Sequence, residues 1–373
     1  MKFQVERDAL ADAVAWTARS LPARPAVPVL GGVLLEVDDT ALVVSGFDYE
    51  VSTQVELDVQ AASTGRTLVS GRLLADITKA LPQQPVDVTV DGARVTISCG
   101  TARFTLPTMP VEDYPTLPDM PTTAGTVDSS VFATAVTQVA VAAGRDDTLP
   151  MLTGVRLEID GELLRLAATD RYRLAVRELA WKPDRPDLTA QVLIPARTLA
   201  ESAKTLTTGP EITLALSSGG VGEGMIGFAG PGRRTTTRLL DATFPPYQSL
   251  FPSEWAGTVD MPVAVLVDAV KRVALVADRN TPVRLDFADG MLALTAGGDD
   301  DGRAEEQLEV AFTGEPLGIA FNPTYLLDGL NAMHTPIARL SYTTPLKPAV
   351  LTPVDGDGAV DYRYLIMPVR LPG

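Results

Sequence analysis

His334 is the only histidine in the 373-residue chain, so imidazole chemistry is confined to one ring. A Ser–His–Asp relay or a multi-histidine metal site would have to be assembled around it. Its setting, "LNAMHTP", places it at the end of a helical pattern just before Pro336, where an imidazole meets the negative end of the helix dipole. A capping or surface role follows. Cys99 lies in "VTISCGTARF", an alternating strand pattern without a basic activator close in sequence, and reads as a packed small hydrophobe rather than a nucleophile. The acidic run "GGDDDGRAEE" (297–306) lacks the spacing and closing glutamate of a calcium loop and reads as a solvated loop. "GFAGPGRRTTTR" (227–238) is Gly-rich and basic, but no helix follows and the phosphate-loop pattern is absent, so a hairpin is expected. The sequence therefore leads to no catalytic residue, no metal site and no cofactor.

Elements positioned by a chain of this composition should form an ordinary globular protein, with 46% hydrophobic and 21% charged residues. Its length exceeds one ordinary core and suits two or three domains. No run approaches the roughly 18 apolar residues of a membrane span. The opening "MKFQVERDAL" carries charge where a signal peptide needs its apolar stretch, and a single cysteine forbids an intrachain disulfide. A cytoplasmic location is expected.

Internal repeats organise the chain. Ala/Val-rich helical segments recur at 5–21, 127–144 and 261–278, with Asp8, Asp128 or Ser129, and Asp260 as the candidate caps. A second helical element recurs as "VSGRLLADITKAL" (69–81), "IPARTLAESAKTL" (194–206) and "FNPTYLLDGLNAM" (321–333). Alternating segments such as 30–37, 153–160 and 283–296 read as antiparallel strands with Asp-Gly and similar turns. Pro-rich passages at 105–121 and 239–255 read as ordered connectors. The expectation is an α+β protein of three domains, 1–122, 123–255 and 256–373, each holding two helices against antiparallel sheets. The apolar ending "YLIMPVRLPG" (364–373) should complete the last sheet through Tyr364–Ile366 and then become a connector with nothing to connect.

Three repeats of this plan, with "MKFQVERDAL", "RPAVPVLGGVLLEV", "LAATDRYRLAVRE", "FNPTYLLDGLNAM" and "YLIMPVRL" in order, resemble the bacterial DNA polymerase III beta subunit, the sliding clamp. The resemblance covers essentially the whole chain. It implies a non-catalytic head-to-tail homodimer of clamp domains that encircles double-stranded DNA without sequence preference. It also implies partners that dock through short linear motifs carrying a Gln and paired Leu/Phe anchors: the polymerase alpha subunit, the clamp loader, and other polymerases and repair proteins. No membrane partner is implied. The variants of this reading are a second, drug-tolerant clamp copy with an altered groove and a clamp-like adaptor that has lost the ring.

Carried over residue by residue, the resemblance implies a peptide groove of Leu152, Thr169, Arg171, Tyr172, Arg173, Leu174, Pro245, Leu250, Leu365, Met367, Pro368, Val369 and Arg370. Taken alone, "LAATDRYRLAV" also fits a hairpin buried in its own domain. Arg171 stands where many relatives have Gly, Tyr172 where some have His, and Ser249 lacks a positive charge some relatives carry; Pro372 and Gly373 extend past the usual end. Arg24, Arg72 and Arg197 match DNA-contacting positions, and Arg145 and Arg279 recur with them, although each is equally readable as a surface arginine. The charges of the six helical segments nearly cancel in a chain of net charge −16, consistent with a lining that lets DNA slide. Phe104, Leu275 and Val276 match the family's subunit interface; periodicity alone equally allows them to be core.

Overall fold

The computed structural model describes residues 1–217, 224–276, 281–298, 302–354 and 361–370. Six helices fall where the repeats place them, α1 Arg7–Arg19, α2 Gly71–Ala80, α3 Ser129–Ala140, α5 Ala196–Thr205, α6 Val263–Val273 and α7 Pro323–Asn331, while the short α4 Pro150–Thr153 has no counterpart in the repeat pattern. Helical spacing sets which faces are buried. Leu10, Ala13, Val14 and Thr17 of α1 join Leu74 and Ile77 of α2 in the interior, and α6 buries Leu266, Val267, Val270 and Val273.

The caps correct part of the sequence reading. Asp128 accepts from the Ser130 amide at 3.0 Å, as expected of a cap. Asp8 instead lies inside α1, whose N-cap Glu6 makes no side-chain cap, and is bound by Arg7 and Gln83. Asp260 does not cap α6, because its carboxylate pairs with Arg339 at 2.6 Å and Pro262 holds the cap position. Asn322, which the sequence reading did not single out, caps α7 by accepting from the Thr324 and Tyr325 amides.

The chain divides into two compact units. The first comprises Met1–Ser130, Lys182–Arg185 and Glu201–Leu239; the second comprises Val131–Trp181, Pro186–Ala200 and Leu240–Gly373. A nine-stranded antiparallel sheet runs through the first in the order Lys182–Pro183, Thr122–Asp128, Glu211–Leu216, Met225–Gly230, Arg233–Arg238, Val51–Asp58, Ala41–Phe47, Gly32–Val37 and Gly65–Ser70. Beside it a five-stranded sheet ends on Ala102–Pro107. The second unit has the same plan. Its nine strands are Thr189–Pro195, Gly154–Asp160, Leu163–Thr169, Arg173–Ala180, Tyr362–Ile366, Ala349–Pro353, Ile337–Tyr342, Gly257–Pro262 and Ala311–Gly314, and its four-stranded sheet ends on Gly302–Glu309.

The repeats thus interlock. The last strand of the second repeat pairs with the first repeat, Ser52 opposite Thr236. The last strand of the third pairs with the second, Leu174 opposite Leu365. Tyr364, Leu365 and Ile366 are buried there, so the apolar ending does complete a sheet, shared between two repeats.

Residues 225–238 form the expected hairpin, Gly230 opposite Arg233. Cys99 is buried, and its thiol donates to the Pro82 and Gln84 carbonyls. His334 is exposed beyond the end of α7, at φ 56°. The acidic run is not the expected loop: 302–306 belong to a strand, with Gly297 opposite Arg303, and 299–301 lie outside the described residues.

Burial gives the fold an alkaline limit. It pushes the Tyr114 and Tyr247 hydroxyls up to about 12 and raises those of Tyr362 and Tyr364 further. Above the ordinary tyrosine value of about 10 the unfolded chain releases protons that the folded chain keeps, so stability falls as pH rises. Melting temperature should therefore be level to about pH 9.5 and decline from pH 10 to 12. Calorimetry should show a shallower decline for Tyr247→Phe.

Candidate peptide-binding groove

The hairpin of Leu163–Thr169 and Arg173–Ala180 is closed by one acidic side chain. Asp170 Oδ1 accepts from the Tyr172 amide at 3.0 Å and the Arg173 amide at 3.1 Å, and the Thr169 hydroxyl donates to the Arg173 carbonyl at 2.7 Å. The turn holds Arg171 at φ 80°, a left-handed conformation that costs a side-chain-bearing residue about 1–2 kcal/mol. That strain accounts for glycine suiting this position. Arg171→Gly should raise stability by about 0.5–1 kcal/mol, the relief of strain less the added freedom of glycine when unfolded. Urea unfolding would check it, with an unchanged midpoint counting against the strain.

Alternation along the strand sends Arg173 and Leu174 to opposite faces of the sheet. Arg173 is 6% exposed. Its Nε meets Asp170 Oδ2 at 3.0 Å, Nη1 donates to the Asp328 carboxylate, and its guanidinium lies 4.5 Å from the Tyr325 ring centre. Tyr325 also stacks on Tyr172, with ring centres 5.9 Å apart, and its carbonyl accepts from the Tyr364 hydroxyl at 2.8 Å. Arg173 therefore fastens the hairpin to α7 from beneath instead of standing free in the groove.

The opposite face carries the candidate trough. Leu174 and Leu365 pack with Ala167, Val176, Leu193, Val350 and the connector residues Phe244 and Tyr247. Further along this face the composition becomes charged. Arg165 reaches both Glu158 and Glu178, and the Tyr247 hydroxyl donates to Glu158 at 3.3 Å. Arg156 and Arg363 lie over the Phe244 and Phe251 rings at 5.9 and 5.0 Å. The connector is thus held by aromatic contacts across the apolar-to-charged boundary.

The expected groove residues divide accordingly. Leu174, Leu365, Thr169 and Leu152 are buried. Tyr172, Leu250 and Met367 are exposed apolar side chains, at 51%, 49% and 38% exposure. Pro245, Pro368 and Val369 are half-buried, while Arg171 and Arg370 are exposed. The Met367 amide donates to the Tyr172 carbonyl at 2.8 Å, fixing the ending to the hairpin, and that of Val369 to the Ala320 carbonyl at 2.7 Å, fixing it to the strand Leu317–Phe321. The sequence reading missed Phe244, Tyr247, Tyr325 and Asp328. The aromatic spacing of "FPPYQSLF" was the available signal for the first two.

Elsewhere, Arg24, Arg72, Arg145 and Arg197 are exposed, and Arg72 and Arg197 hold the same second position of α2 and α5. Arg279 lies outside the described residues, as do Leu371, Pro372 and Gly373. Phe104 is half-buried against the first core, Val276 is half-buried, and Leu275 is 84% exposed. Among the described residues no group of three His, Cys, Asp or Glu side chains could hold a metal, and no helix is long and apolar enough to cross a membrane.

Interlocked α+β repeats, the second and third each closing its last strand onto the repeat before it, define a clamp-like architecture. Comparison with known proteins agrees. The N-terminal, central and C-terminal domain models of the DNA polymerase III beta subunit match residues 1–118, 126–246 and 248–370. The beta sliding clamp of Streptomyces coelicolor is 57% identical over the full length of both chains. The beta sliding clamp homolog GriR of Streptomyces muensis is 47% identical over 99% of both. A solved sliding clamp of Pseudomonas aeruginosa, bound to griselimycin, superposes with a TM-score of 0.91 at 30% identity over all of both chains. The chain belongs to the DNA polymerase III beta subunit family, the non-catalytic beta sliding clamps.

Proposed function

We propose that two copies of this chain close head to tail into a ring around duplex DNA in the cytoplasm and tether the replicative polymerase and repair proteins to it. One observation carries the ring. The second repeat's last strand pairs with the first repeat and the third's with the second, whereas among the described residues the first repeat's last strand, Ala102–Pro107, has no equivalent partner. The complementary edge is Gly302–Glu309 of the third repeat, at the end of its own sheet. A strand edge is a template for pairing with another chain, and head-to-tail pairing of two different edges closes a ring where the rotation permits. Phe104 lies on the first edge. Val276 flanks the second, near enough that a β-carbon on Gly302 would touch it at 3.9 Å. Leu275 stands exposed beside it.

In this reading Arg24, Arg72, Arg145 and Arg197 face the encircled DNA and make transient phosphate contacts, which position without reading sequence. The trough takes partner motifs: Leu174 and Leu365 as floor, Thr169, Leu152 and Pro245 beside it, and Arg171, Tyr172, Leu250 and the 367–370 ending as rim. Arg173 supports this wall from beneath. Retention after loading onto nicked circular DNA tests the function. The protein should stay on the circle through a high-salt wash and leave once the circle is cut, because topology holds it. Equal loss from both forms would end the clamp reading.

A further inference from the structure

The two repeat junctions are built alike down to single hydrogen bonds. In the first, Asp48 Oδ1 accepts from the Glu50 and Val51 amides at 3.0 and 2.7 Å, as Asp170 does for Tyr172 and Arg173. Tyr49 takes φ 74° where Arg171 takes 80°. The Arg238 amide donates to the Glu50 carbonyl at 2.9 Å, as Met367 does to Tyr172 at 2.8 Å. Each connector leaves in the same way, Met109 donating to Leu68 and Leu240 to Leu193, both at 2.8 Å. The registers therefore align residue by residue. The trough row Thr169, Leu174, Leu365 and Val350 corresponds to Phe47, Ser52, Thr236 and Gly227.

Directly opposed residues share a face, so this second row also points to one side of its sheet. Its chemistry is different. The Ser52 and Thr236 hydroxyls are buried and bonded to each other at 2.6 Å where the trough has Leu174 against Leu365. Phe47 replaces Thr169 and packs into an apolar cluster with Tyr114, Val29, Leu34 and Leu68. Gly227 leaves room that the connector fills: a β-carbon there would lie 2.5 Å from Met120 Sδ and 2.6 Å from its Cε. The rim is charged, with Arg238 in place of Met367 and Glu50 in place of Tyr172.

We propose that the junction of the first two repeats is a second copy of the peptide trough, occupied by the chain's own Phe47 and Met120, so that each chain offers a single site to partner peptides. This rests on reading the other junction as the peptide groove. Met120 enters as a side chain of the same molecule, at an effective concentration no free peptide matches, and the bonded Ser52–Thr236 pair offers apolar anchors no floor.

Two measurements test it. Titration calorimetry of the whole protein with the pentapeptide Gln-Leu-Ser-Leu-Phe should give one peptide per chain. The variant Phe47→Thr, Ser52→Leu, Met120→Ala, Thr236→Leu should give two, the second within about a hundredfold of the first. Two per wild-type chain, or one per chain in the folded variant, overturns the proposal. Independently, Met120→Cys should react with a maleimide at least tenfold more slowly than Met367→Cys, against the low background of buried Cys99. Equal rates overturn self-occupation even if the four-residue variant fails to fold. No wild-type binding at all would refute the groove reading, and the thiol rates would still decide whether Met120 is covered.

Discussion

Arg173→Ala should be the most damaging single change near the groove, lowering unfolding free energy by about 3 kcal/mol, the low end for breaking a buried ion pair. The guanidinium is 7% exposed and answers two carboxylates, Asp170 at 14% and Asp328 at 33% exposure. Removing it leaves Asp170 enclosed without its partner, while Asp328 recovers some solvent, which argues for the lower figure. Lysine should not rescue the loss, since one ammonium cannot span both carboxylates and lie flat on the Tyr325 ring. The effect should reach the rim, because Tyr172 and the Met367 amide both hang on this turn. Motif-peptide affinity should fall at least tenfold. Urea unfolding of Arg173→Ala, Asp328→Ala and the double variant decides the matter. The double should cost less than the two singles together by about 1 kcal/mol or more if the residues act as a pair. A wild-type midpoint for Arg173→Ala would refute the anchoring role.

What the sequence made legible follows from the range of each signal. Helices α1, α2, α3, α5, α6 and α7 announce themselves through local spacing, and the Asp-Gly turns through local chemistry, so their positions are within a few residues of the pattern. The pairing of Val51–Asp58 with Arg233–Arg238 joins residues about 180 apart in a register that no local pattern carries. Caps failed for a related reason. Asp260 has the right type in roughly the right place, but Arg339, 79 residues away, competes for its carboxylate. At the groove, residue types located the hairpin and the ending. The alternation that turns Arg173 inward and Leu174 toward the trough became decisive only once the strand and its turn were placed. Tyr325 and Asp328 escaped notice because they belong to a helix of another repeat. The resemblance to a family supplied the candidate groove, while the packing shows what holds the hairpin and the ending in place.

Leu275→Asp should separate ring from fold more cleanly than any other substitution. At 84% exposure the leucine is the most exposed large hydrophobic among the described residues, so the folded chain loses almost no packing when it changes. Its unfolding midpoint should stay within about 0.5 kcal/mol of wild type, as for surface positions generally. Association is another matter. A large apolar side chain left in water beside the unpaired edge Gly302–Glu309 gains from burial only in a complex, and an aspartate there must instead be desolvated. The new charge also joins Glu305 and Glu306 on that strand, in a chain already at −16. Loss of a central anchor costs about 2–4 kcal/mol, or roughly thirty- to a thousandfold in dimer dissociation. Light scattering after size exclusion should then find monomer at concentrations where the wild type is dimeric. The monomer should still bind a motif peptide with wild-type affinity, because all the expected groove residues lie in the second compact unit of one chain. It should also leave circular DNA as readily as linear DNA. A dimer of unchanged stability would mean that Leu275 is not at the interface. A monomer that has lost its peptide site would mean that the groove depends on the ring, against its construction here from a single chain's hairpin, connector and ending.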